Sequence, residues 1–216
     1  MSDIVVYGVP GSPYLRSALL GLHEKQVPYR LAVLDGIAGT RSEEHRRRHP
    51  FGRVPVLEHG DFGLYETQAI LRYIDATFPG TSLQPKDARA AARMNQIMGI
   101  VDWYVFPFIT VGITAERFLA PRFWNRPADE ANIAKALPQA RICIRELERL
   151  KGSAEFMAGD TLSMADLLLA PHLLFFRGTP EAEELLPGTA LDAWLTRMGE
   201  RPSVQATDAE RLRQAA

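Results

Sequence analysis

Three short segments carry the polar residues best placed to do chemistry, because each lies where an apolar run gives way to a turn. The first, Tyr7-Gly8-Val9-Pro10-Gly11-Ser12-Pro13-Tyr14, separates the strand-like Ile4-Val5-Val6-Tyr7 from a helical stripe of Leu15, Ala18, Leu19 and Leu22. Pro13 suits a first helical position, where its missing N–H would be unpaired in any case, so Ser12 falls at the N-cap. Its hydroxyl, the free N–H groups of the first turn and the positive end of the helix dipole would together stabilise an anion. A plain cap is the alternative.

The second segment is His49-Pro50-Phe51-Gly52-Arg53-Val54-Pro55-Val56. A proline that opens a strand is permitted at an edge. If the Val54–Pro55 bond is cis, the bend turns the Val54 N–H and C=O outward, where an extended peptide-like ligand could pair with them as an added strand. A simple edge strand fits the same residues. The third, Tyr65-Glu66-Thr67-Gln68, stands just before a helical stripe of Ile70, Tyr73, Ile74 and Phe78. A carboxylate beside helix N–H groups and a hydroxyl suits an amino-acid zwitterion, with Glu66 taking the ammonium and Thr67 with the helix start taking the carboxylate. Both residues would also serve as ordinary helix-start groups.

The elements that must position these groups follow from periodicity. Residues 1–79 read as strand, helix, strand (Tyr29 to Leu34), a Gly-containing loop (Asp35 to Thr40), then a hairpin of Val54–Leu57 and Phe62–Tyr65 turning at Glu58–Asp61, and a helix. This βαβ–ββα order predicts a small α/β domain with a four-stranded mixed sheet. Residues 80–87, rich in Pro, Gly and Ser, read as a linker, and 88–216 as an all-helical domain. There a long pattern, Arg89 to Phe118, is expected to bend at Pro107. A second helix carries Ile133, Leu137, Ala140, Ile144 and Leu147, interrupted by Pro138, and two more helices and a polar tail follow. Ser163 with Asp166 three residues on is a capping pair, structural rather than chemical.

Composition narrows the functional classes. A hydrophobic share of 46% supplies a core and excludes disorder, and 25 Lys+Arg against 26 Asp+Glu, net −1, make the whole chain no magnet for nucleic acid or anionic membrane. Charge acts only locally: Arg41 to Arg53 holds five arginines against Glu43 and Glu44, or 5 − 2 = +3. A solvated basic loop is the bland reading, and attraction of an anionic ligand the functional one. The lone Cys143, in the apolar Ile142-Cys143-Ile144, reads as a core thiol and forms no intramolecular disulfide. The N-terminus lacks a secretory pattern, and the apolar stretch Leu167 to Phe176 is too short to span a membrane, so a cytoplasmic location is expected.

In combination these segments resemble the glutathione transferase family, in its serine-type, phi-like and bacterial branches. The strings that carry the resemblance are Tyr7-Gly8-x-x-x-Ser12, His49-Pro50-Phe51-Gly52-x-Val54-Pro55, Glu66-Thr67-x-Ala69-Ile70 and Ala158-Gly159-Asp160-Thr161-x-Ser163-x-Ala165-Asp166. The resemblance implies a thioredoxin-like domain that binds glutathione, a helical domain that supplies an electrophile pocket, and a homodimer. It implies that Ser12 donates its hydroxyl to the glutathione sulfur and that Val54, beside cis-Pro55, holds the cysteinyl backbone. Glu66 and Thr67 would bind the γ-glutamyl end, and Arg41 and Arg53 the glycine carboxylate or a backbone group. The chain departs from the phi pattern with Thr40 for a common histidine, Arg53 for glutamine and Thr67 for serine.

The implied reaction joins the glutathione thiolate to small hydrophobic electrophiles without metal or nucleic acid. Peroxidase, isomerase or dehalogenase chemistry would use the same thiolate, and a silent interaction module would use none of it. Tyr7 is a rival hydroxyl donor, disfavoured because it ends a strand. Trp103, Tyr104, Phe106, Phe108 and Ile109 read first as core and second as pocket lining.

Overall fold

The computed structural model describes residues 3–214. Strand β1 (Ile4–Gly8) leads through helix α1 (Pro13–Glu24) to β2 (Arg30–Val33). Two short helices follow, α2 (Gly36–Arg41) and α3 (Glu43–Arg48), then β3 (Val56–His59), β4 (Phe62–Tyr65) and α4 (Thr67–Thr77). The sheet order is β2-β1-β3-β4, with β1 and β2 parallel and the other neighbours antiparallel. This is the four-stranded mixed sheet that the strand pattern predicts, in a thioredoxin-like domain. The hairpin turns on Gly60-Asp61, where φ of +64° at Gly60 suits a residue without Cβ. On one face of the sheet Val6 and Leu57 pack with Leu15, Leu19 and Leu22 of α1 and Ile70 and Ile74 of α4.

The segment Asp35 to Thr40, expected as a loop, is largely helix α2. A six-residue helix carries little local signal, and such turns are held by packing rather than propensity. The basic run is likewise helical. Ser42 caps α3 by accepting the His45 N–H at 3.1 Å, and Arg47 and Arg48 pair one turn back with Glu43 and Glu44.

Beyond residue 83 the named elements of the described residues are helical: α5 (Ala88–Ile100), a wide-turned π-helical segment (Val101–Ala115), α6 (Glu116–Phe123), α7 (Glu130–Lys151), α8 (Met164–Phe176), α9 (Pro180–Leu185), α10 (Ala190–Glu200), α11 (Pro202–Ala206) and α12 (Ala209–Gln214). The chain is helical from 88 to 123 without a break, because the turn around Pro107 widens instead of stopping. Thr114 Oγ1 donates to the Ile109 carbonyl five residues back at 3.0 Å. The same helix is longer than the stretch Leu167 to Phe176: it has 36 residues, and an 18-residue window within it, of mean hydropathy 1.6, has the length and composition of a membrane span. Half of that apolar window is buried, as in a core helix, with Val101, Val105, Ile109 and Ile113 against α7 and α8. Helix α7 also continues through Pro138.

Two compact units result, residues up to Leu83 together with those from Glu200, and Gln84–Gly199. The tail, expected with the helical domain, belongs to the first unit because α1 holds it. Arg201 pairs with Glu24 at 2.8 Å, Ser203 Oγ donates to the same carboxylate, and Arg16 donates to the Val204 carbonyl at 2.7 Å. Four more helices follow α8 where the sequence suggested one more and a polar tail. Their short apolar runs become legible only through these long-range contacts.

In the second unit Glu116, nearly buried, accepts from Arg126 at 2.7 and 2.9 Å, the Asp129 N–H at 3.1 Å and Asn132 at 3.2 Å. The Arg126 hydrogen bonds above all hold its pKa down, from 4.5 to about 2. A depressed carboxyl stabilises the fold above its unfolded pKa and loses that contribution as pH falls from about 4.5 toward 2. Melting curves of the wild type and Glu116→Gln should therefore be well separated at neutral pH and converge across that acid range. A separation independent of pH would show that the carboxylate's charge is not what closes the 124–129 turn.

Candidate functional site

Ser12 takes the position its neighbours dictate. Gly11, at φ +101°, turns the chain out of β1, the Ser12 N–H donates to the Val9 carbonyl at 3.0 Å, and Pro13 opens α1. The Ser12 Oγ accepts the Leu15 N–H at 3.3 Å, and among the described residues no acceptor takes its proton. Cap and anion donor are thus compatible roles, since the cap uses a lone pair and leaves the O–H. The side chain is partly exposed at the positive end of a 12-residue helix.

The rival hydroxyl is committed elsewhere. Strand alternation puts Val6 into the core with α1 and sends Tyr7 to the opposite face, where its O–H donates to Glu58 Oε2 at 2.8 Å and the Arg48 guanidinium lies 4.3 Å from the ring centroid. Burial, and then Glu58, push the Tyr7 hydroxyl above its ordinary pKa. Cys143 is buried in α7, where burial pushes its thiol up to about 11 and suppresses the reactive thiolate.

The Val54–Pro55 bond is cis. Just before it, the buried His45 donates from Nε2 to the Arg53 carbonyl at 2.7 Å, and the ring of His49 lies 4.6 Å from that of Tyr65. Nothing in the sequence marks His45, since it sits inside a run of charged residues. Its burial on the inward face of α3 appears only in the structure.

Glu66 has φ +70° and ψ 113°, a conformation that a residue with a Cβ rarely adopts and that costs ~1–3 kcal/mol. It makes no side-chain cap bond to α4, so its exposed carboxylate is not held by the helix start. The buried Thr67 is the first residue of α4. Of the five arginines, Arg47 pairs with Glu43, and Arg48 with Glu44 and Glu58. Arg41, Arg46 and Arg53 are exposed and have no carboxylate partner among the described residues. Of the five residues read first as core, Ile109 is fully buried, Phe106 and Phe108 are half-buried, and Trp103 and Tyr104 are 77% and 51% exposed. Among the described residues no cluster of three or more His, Cys, Asp or Glu is arranged to hold a metal ion.

The first unit thus combines a thioredoxin-like sheet with a hydroxyl at the start of its first helix, a cis-proline ahead of β3 and an acidic residue at positive φ ahead of α4. Comparison with known proteins makes the assignment specific. Residues 6–82 match the family model "Glutathione S-transferase, N-terminal domain", and residues 130–197 match "Glutathione S-transferase, C-terminal domain". The chain is 30% identical to glutathione S-transferase 4 of Zea mays over 203 residues, covering 93% of this chain and 89% of that one. It is 28% identical to glutathione S-transferase F6 of Arabidopsis thaliana over 215 residues, covering 95% and 99%. The crystal structure of glutathione transferase F7 from Populus trichocarpa superposes with a TM-score of 0.86 at 26% identity, over 97% of this chain and 99% of that one. The chain belongs to the glutathione S-transferase family, and its co-substrate is glutathione.

Proposed function

We propose that the protein activates glutathione with Ser12 and conjugates the thiolate to small hydrophobic electrophiles. The observation that supports this reading is the division of hydroxyls and thiols. Ser12 keeps its proton available at a helix N-terminus, whereas Tyr7 is bound to Glu58 and Cys143 is buried. In the proposed complex Val54, beside Pro55, pairs with the cysteinyl backbone. Glu66 takes the γ-glutamyl ammonium, Thr67 with the start of α4 takes its carboxylate, and Arg41 with Arg53 takes the glycyl carboxylate.

The magnitudes are sufficient. A free thiol of pKa ~8.5 is ~3% ionised at pH 7, and lowering it by ~2 units requires ~2.7 kcal/mol. One hydrogen bond to a charged sulfur supplies ~1.5–3 kcal/mol and a helix terminus ~0.5–2 kcal/mol. The thiolate sulfur then forms the C–S bond. A displaced leaving group departs with its electron pair, or, in addition to an enone, the carbon accepts a proton from solvent. We assign the first unit to glutathione and the helical unit to the electrophile, in a cytoplasmic homodimer.

The test is retention of the full chain on immobilised glutathione, followed by assay with an aryl halide, an enone and an organic hydroperoxide. Conjugation of either carbon electrophile is the expected result. Absence of retention would favour a silent interaction module, and turnover of the hydroperoxide alone would replace conjugation with reduction.

A further inference from the structure

We propose that His45 is a positioning residue for glutathione, holding the Arg53 carbonyl so that the adjoining Val54 backbone keeps the orientation in which it receives the ligand's cysteinyl unit. The inference rests on the reading of Val54 given above. His45 is 1% exposed on the inner side of α3, and its Nε2 to Arg53 carbonyl distance is 2.7 Å. A carbonyl only accepts, so the proton is on Nε2. Among the described residues Nδ1 has no hydrogen-bond partner.

The brace is fixed at both ends. At its root, Ser42 Oγ accepts the His45 N–H at 3.1 Å and in turn donates to the Gly39 carbonyl at 2.8 Å, tying α3 to the end of α2. At its tip, Gly52, at φ +61°, folds so closely over α2 that a Cβ there would lie 3.0 Å from the Thr40 carbonyl. Its N–H donates to the His49 carbonyl at 2.8 Å. Between these anchors the carbonyl of Arg53 is the group that sets the peptide plane leading into Val54. The Val54 N–H shares that plane, so rotation at Arg53 would redirect it. A buried imidazole donor at this carbonyl therefore acts on ligand geometry, although it lies behind the site and touches no reacting atom.

The experiment compares the wild type, His45→Phe, which keeps a ring but has no donor, and His45→Gln, whose amide can donate again. Glutathione affinity is measured by titration calorimetry on the full chain, and steady-state kinetics with chlorodinitrobenzene separate KM from kcat. Loss of one buried hydrogen bond should weaken glutathione binding and raise its KM about tenfold in His45→Phe, with kcat at saturating glutathione within about threefold. His45→Gln should recover most of the affinity. A role in stability alone would lower the melting temperature and the active fraction of His45→Phe while leaving the affinity of the folded fraction unchanged, and that outcome overturns the proposal. So does a His45→Gln variant as weak as His45→Phe. Should His45→Phe not fold, Ser42→Ala, which frees the root of the brace, is expected to weaken binding in the same direction, and unchanged affinity there overturns the proposal. Wild-type protein that fails to bind glutathione would refute the underlying reading of the site, whereas wild-type binding with an indifferent His45 would refute this inference only.

Discussion

Ser12→Ala should raise the thiol pKa of bound glutathione by about 1–2 units and lower kcat/KM at neutral pH by about 10–100-fold, because in the proposed complex it removes the hydroxyl that donates to sulfur. The helix dipole remains, so activation should be weakened and not abolished. The effect has a pH signature. Where solution pH exceeds the raised thiol pKa, glutathione ionises unaided, and the two proteins should converge as pH rises. Glutathione affinity should change little, since the groups proposed to bind it, the Val54 backbone and the side chains of Glu66 and Thr67, are untouched. The variant also loses the acceptor for the Leu15 N–H, worth ~1 kcal/mol of stability. Ultraviolet titration of the bound thiolate checks the expectation directly: an unmoved pKa removes Ser12 from the chemistry, whatever the turnover does.

Much of the local structure around the candidate site is legible in the sequence because it is locally encoded. Pro13 after Ser12 fixes a cap, alternating apolar residues fix which face of β1 bears Tyr7, and Gly60-Asp61 fixes the hairpin register that brings Val56 opposite Tyr65. What sequence hides is conformation and long-range pairing. Val54–Pro55 reads alike as cis or trans, and Glu66 is not a residue type from which φ +70° is expected. The attachment of the tail to α1 depends on Glu24 meeting Arg201 and Ser203 some 177 and 179 positions away, a pairing no local period reveals. Pro107 illustrates the opposite limit: its signal to bend is genuine, but a widened turn accommodates the missing donor, so the helix persists to Phe123.

In the helical unit Asp166 was read from Ser163-x-x-Asp166 as a cap worth ~1 kcal/mol; its surroundings make it worth considerably more. Fully buried, it accepts the Ser163 N–H at 2.9 Å and Oγ–H at 2.7 Å on one oxygen, and the Met157 N–H at 2.8 Å and Trp194 Nε1–H at 2.9 Å on the other. Burial pushes the carboxyl's pKa up while these four donors pull it down, so the network and the charge depend on one another. Asp166→Ala leaves the Ser163, Met157 and Trp194 N–H groups unsatisfied in the interior, at ~1–3 kcal/mol each. We expect a loss of ~4 kcal/mol or more, or at least about 8–16 °C in melting temperature at ~2–4 °C per kcal/mol for a chain of this size. Asp166→Asn should recover little, because its amide group would direct N–H donors at donors already there. Ser163→Ala removes one donor and leaves the acceptor, so it should cost only ~1 kcal/mol. Thermal melts of the three variants separate the readings. If Asp166→Ala melts no lower than Ser163→Ala, the carboxylate is only a helix cap; a much larger loss identifies it as the node joining the start of α8 to α10 and to the turn at Met157.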